Sequence, residues 1–111
     1  MATIDVNALG SQMLAAALPI LKKDAADAES FAKTEFAKIA QTIVAVGEQV
    51  AAGQINQQQA QLLLDMQTSA SRNVLLTIQG LGILAVEAAI NAALGVAKGA
   101  VNTALGFTLI A

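Results

Sequence analysis

Apolar and polar positions recur at spacings of three and four along nearly the whole chain, and this pattern predicts an all-α protein. Ile4, Leu9, Met13 and Leu18 predict a short N-terminal helix over residues 1–19, capped by Asp5 or Asn7. Pro19, the only proline, disfavours helix at Leu18 and suits the first turn of a new helix, so a bend is expected there. Residues 20–52 predict a second helix with a charged start. Its later half carries Phe36, Ile39, Ile43, Val46 and Val50, an a/d seam. In the charged part, Glu29 with Lys33 and Lys23 with Asp27 stand four apart, the spacing of helical ion pairs.

Residues 52–56 are the clearest punctuation. Gly53 suits the left-handed position beyond a helix end, Asn56 with Gln59 fits a capping box, and Ile55 is placed as a hydrophobic staple. A tight turn here predicts an antiparallel helical hairpin. From residue 57 onward nothing forces a stop, so one very long C-terminal helix over 57–111 is expected, about 80 Å if unbroken. Gly80 and Gly82 are its weak point, where a kink or the close approach of another helix is expected. The whole, residues 1–111, reads as one all-helical domain.

The last third, 74–111, is almost wholly apolar, with Glu87 and Lys98 as its only charges. It holds a near-repeat of eleven residues: EAAINAALGVA from Glu87 is followed directly by KGAVNTALGFT from Lys98. Eleven residues make three helical turns, so equivalent positions fall almost on one line. Ile83, Ile90, Leu94, Ala97, Val101 and Leu105 are expected on a bulky stripe, beside a polar wedge of Glu87, Asn91, Lys98 and Asn102. A third strip is small: Ala85, Ala88, Ala92, Gly99 and Thr103. A helix apolar nearly all round must be covered on nearly all sides. Copies of the same chain are the expected cover. Gly95 with Gly99 makes a G-x-x-x-G that admits close helix approach, and the Asn91 and Asn102 amides need hydrogen-bond partners that a symmetry mate would supply. The expected self-association residues are Ile90, Asn91, Leu94, Gly95, Gly99, Val101, Asn102, Leu105 and Gly106. The period is similar to that of lipid-surface helices of the synuclein and apolipoprotein kind. Those repeats are lysine-rich where this one has Lys98 alone, and no function is carried across.

Composition sharpens the choice of environment. Hydrophobic residues make up 56% of the chain and charged residues 13%, with a mean hydropathy of +0.62. That is high for a soluble domain and points to a membrane or an extensive subunit interface. A net charge of -2 leaves no electrostatic footprint for nucleic acid. No basic cluster precedes an apolar run near residue 1, so no secretory signal is expected.

The chemistry-bearing residues are few. With no Cys and no His, thiolate metal sites and the usual general base are missing. Ser69 and Ser71 therefore lack an activating partner. Asp24 and Asp27, three apart, would share a helix face, with Lys22 and Lys23 competing for them; a solvated charge pair is expected. Gly80-Leu-Gly82 lies in a helical pattern rather than after a strand, so packing glycines are expected, not a dinucleotide loop. No enzymatic activity, cofactor, metal or small-molecule substrate is expected. The expected function is that of a small structural protein, self-associating and membrane-associated through 74–111, with its polar wedge able to line a pore or lumen. The alternative is a soluble self-assembling subunit of a filament, shell or virion. The expected partners are copies of the chain and a lipid bilayer.

Overall fold

The computed structural model describes residues 4–111, and four helices with no strand account for them. The start of the expected N-terminal helix at Met1–Thr3 lies outside the described residues. Helix α1 spans Val6–Asp24. The extended Asp5 caps it, its Oδ1 accepting from the N–H groups of Asn7 at 2.9 Å and Ala8 at 3.1 Å. Contrary to the expected bend at Leu18, α1 continues through Pro19. Proline removes one backbone donor, but Pro19 and Ala15 are both exposed, so water can serve the freed carbonyl. The break comes later, at the extended and buried Ala25.

Helix α2 spans Ala28–Ala51. Because the chain breaks at 25–27, Asp24 ends one helix and Asp27 precedes the next, so the shared face expected for them does not form. The expected pairings also change. Glu29 meets Lys22 of α1 at 3.4 Å rather than Lys33, and the buried Glu35 meets Lys38 at 3.1 Å. Among the described residues Lys23 and Asp27 form no ion pair. Phe36, Ile39, Ile43 and Val46 are buried and Val50 half-buried.

Ala52–Asn56 joins α2 to α3, Gln57–Leu76. Gly53 takes the left-handed conformation at φ 75, and a reciprocal capping box closes the turn. Asn56 Oδ1 accepts from Gln59 N–H, and Gln59 Oε1 from Asn56 N–H, both at 2.8 Å.

The single long helix expected over 57–111 is not formed. The chain leaves helix at Thr77 and restarts as α4, Ile83–Leu105. Gly80 explains the place: its φ is 97, and a Cβ built there would lie 2.7 Å from the Asp24 carbonyl oxygen at the end of α1. At this glycine pair the helix ends rather than kinks, and the close approach is made at Gly80 alone, since a Cβ at Gly82 would meet nothing within 4 Å. The whole measures 42 × 22 × 19 Å, about half the length of the rod that an unbroken helix would make.

Helix α1 packs extensively on both α2 and α4; α2 also packs on α3, while α3 and α4 meet only along a thin seam. One core cluster draws on all four helices, with Met13, Leu21, Phe36, Ile39, Ile43 and Ile90 essentially inaccessible. Each such side chain contributes about 1.5–3 kcal/mol by leaving water. Between them, Ala17, Ala32, Ala89, Ala93 and Ala97 are fully buried, and these small side chains let the helix backbones approach closely.

Candidate functional site

Helix α4 is the most apolar element, and its sequence phases it weakly because little beyond its narrow polar wedge is polar. The face it buries is Val86, Ala89, Ile90, Ala93, Ala97 and Val101. This corrects the expected stripe. Ile90, Ala97 and Val101 do point inward, but Ile83 is 51% exposed and Leu94 and Leu105 are only half-buried. Ala89 and Ala93 share the buried face with Val86, Ile90, Ala97 and Val101 instead.

The nine residues expected to act together are divided among three environments. Ile90 and Val101 are 1% exposed and belong to the chain's own core. Leu105 leans on the same bundle, its Cδ2 filling the space where a Cβ of Gly47 would stand. Gly95, Gly99 and Asn91 face outward, and a Cβ at Gly95 or Gly99 would meet nothing within 4 Å. They share the outside of α4 with Leu84, 84% exposed, and Val96. Asn91, Leu94 and Gly95 also border a cavity of about 540 Å³ along the α3–α4 seam, with Gln61, Leu64, Asp65, Thr68 and Lys98.

Asn102 has a role of its own, which the sequence reading missed. Gly106, left-handed at φ 79, ends α4 and turns the chain back. The following residues lie against Asn102, whose Oδ1 accepts from the N–H groups of Leu109 at 2.9 Å and Ile110 at 3.1 Å. Its Nδ2 donates to the Ile110 carbonyl at 2.9 Å. From α3, Gln61 Nε2 donates to the Thr108 carbonyl at 2.6 Å. Leu109 and Ile110 are 3% and 5% exposed. The amide that called for an outside partner is thus satisfied within the chain. The available signal was a glycine after the helix followed by an apolar Leu-Ile pair, the pattern of a chain reversal with a hydrophobic contact.

The polar wedge is also partly engaged. Glu87 forms an ion pair with Arg72 of α3, the carboxylate lying close to Nε but off its N–H direction, so charge attraction and not an aligned hydrogen bond holds them. Lys98 is exposed. Elsewhere, Ser71 is fully buried and accepts a hydrogen bond from Gln67 Nε2 at 3.1 Å, while Ser69 accepts from Arg72. Neither serine is placed beside a base. Among the described residues no three acidic, histidine or cysteine side chains gather as a metal cage would require.

Comparison with known proteins adds no relative: no protein family, no curated protein and no solved structure matches the chain. The all-α bundle and its surface therefore carry the functional reading.

Proposed function

We propose that this chain is a non-enzymatic helical structural protein that self-associates and attaches to a lipid bilayer through residues 74–111, with the outer face of α4 as the contact. One observation carries this reading. The helix with the length and apolarity to cross a membrane has only 28% of its most apolar stretch buried in the bundle. A core helix of a soluble protein is apolar because its neighbours cover it. Here α1 covers one side, and Leu84, Val96, Gly95 and Gly99 are left outside. At 23 residues α4 is about 34 Å long, enough for the roughly 30 Å hydrocarbon layer. In this reading α2 and α3 form an antiparallel hairpin that stays wet, and Asn91 and Lys98 turn towards a copy or a watery lumen rather than lipid.

The soluble-assembly reading has its own support. The Arg72–Glu87 pair and the 106–111 segment both tie α4 to α3, and a helix leaving for a bilayer would break both ties. The same outer face would then pack against copies in water.

Flotation with zwitterionic and anionic vesicles, alongside native mass, tests the proposal. The expected result is an oligomer that floats with lipid. An oligomer that stays in the aqueous phase selects the soluble assembly, and a monomer that ignores vesicles overturns both. Gly99→Leu refines the result. A side chain there meets nothing inside the chain, and Leu raises helix propensity by roughly 0.8 kcal/mol over Gly. The fold should stand while the oligomer weakens through overpacking of about 1–3 kcal/mol at each interface copy. An unaltered oligomer would remove the Gly95–Gly99 strip from the contact.

A further inference from the structure

The 106–111 segment shows what the cleft between Gln61 and Asn102 recognises. It holds a short peptide segment through its backbone: two N–H groups and one carbonyl are held by Asn102, and a second carbonyl by Gln61. Two adjacent apolar side chains, Leu109 and Ile110, are buried and line the same cavity as Leu64 and Leu94. Backbone contacts of this kind fix the ligand's direction, and the apolar seats fix its register.

We propose that this cleft is a peptide-recognition site, and that its partner in an assembly is the same segment of a second copy. The inference rests on the self-association proposed above and names a contact for it. Three observations favour exchange. The segment docks over the thin α3–α4 seam, so its departure unpacks no extensive helix pair. It is hinged at Gly106, where a left-handed glycine can straighten without a side chain to obstruct it. Every hydrogen bond lost within the chain is remade with the copy, so exchange is driven by concentration, as in domain swapping.

Reach then sets the geometry. Five extended residues, 107–111, span roughly 17 Å. The Leu105 ends of two α4 helices must therefore abut, and each chain gives its segment while receiving the other's. The product is a closed two-fold dimer, the commonest symmetry of soluble oligomers.

The chain has no cysteine, so Asp65→Cys with Ala111→Cys, two exposed residues that line the same cavity and hold none of its hydrogen bonds, gives a crosslinking test with a short bismaleimide. Crosslinking within one chain leaves the mass of a monomer; crosslinking across the exchange gives a covalent dimer. We expect dimer to dominate at concentrations where native mass shows the wild-type oligomer, and dilution to return monomer. Asn102→Leu in the same background should abolish the dimer at least tenfold, because the cleft loses three of its four hydrogen bonds. A crosslinked monomer alone, from a protein that is oligomeric by native mass, overturns the exchange while leaving self-association standing. A wild-type protein that is monomeric at every concentration overturns both. A dimer indifferent to Asn102→Leu also overturns it, since collision rather than recognition would then explain the product.

Discussion

Gly80→Ala separates the broken α3–α4 connection from a continuous helix by the sign of its effect. In a continuous helix the change would stabilise the protein by about 1 kcal/mol, because alanine is the better helix former. In the observed turn, alanine must adopt φ 97, which costs about 1–3 kcal/mol in a side-chain-bearing residue. Its Cβ would also lie 2.7 Å from the Asp24 carbonyl oxygen. That atom is backbone at the end of α1 and cannot swing aside as a side chain could, so moving it costs about 1–3 kcal/mol more. The stiffer unfolded chain returns about 0.4–1 kcal/mol. The net loss is about 1–6 kcal/mol. Urea unfolding followed by circular dichroism would show it as a midpoint lowered by roughly 0.5–3 M, taking a slope of about 2 kcal/mol/M. Gly82→Ser is the control: its φ is -98, nothing lies within 4 Å of its Cβ, and it is the N-cap of α4. Serine there should stabilise by about 0.5–1 kcal/mol. A Gly80→Ala protein as stable as wild type, or more so, would refute the turn and the close approach to α1.

Pro19→Ala should stabilise by about 1–3 kcal/mol, because α1 runs through Pro19 and alanine restores both the missing donor and helix propensity; a loss of stability on thermal unfolding would reinstate the bend at Leu18. Glu87→Gln should cost at most about 1 kcal/mol, since Arg72 and Glu87 are 27% and 41% exposed and solvent screens the pair. A double-mutant cycle with Arg72→Met, repeated at high salt, checks both the size and the screening. Gly99→Leu should leave the urea midpoint unchanged or raised while lowering the oligomer mass, read by light scattering.

Features whose cause is local were legible in the sequence. The Asn56–Gln59 capping box and the Gly53 turn involve residues a few positions apart, and each residue type admits few other uses there. The Gly80 break was legible only as a weakness, because its reason is the Asp24 carbonyl, distant in sequence. Pro19 misled for the opposite reason: proline signals a helix end from its own geometry, but tertiary packing of Met13, Ala17 and Leu21 holds α1 together across it. On α4 the inward face was phased only approximately, since outside the narrow wedge of Glu87, Asn91, Lys98 and Asn102 the helix lacks the polar contrast that marks solvent. Of the candidate surface, Gly95 and Gly99 face outward with open space beside them. Asn102 was read as unpartnered because its partners are backbone groups of residues 109 and 110, which composition cannot reveal.

The position of α1 between α2 and α4 has a consequence for how the chain must be born. One flank of α1 meets α2 as soon as residues 28–51 have emerged, but the other waits for residues 83–105. At roughly 5–20 residues per second, the interval between the end of α1 and the end of α4 is about 4–16 s. Throughout it, the α4-facing flank of α1 is a naked apolar ridge on every ribosome making this protein. On polysomes, where such ridges are crowded together, chaperone occupancy should peak after α2 is synthesised and fall only once α4 has cleared the exit.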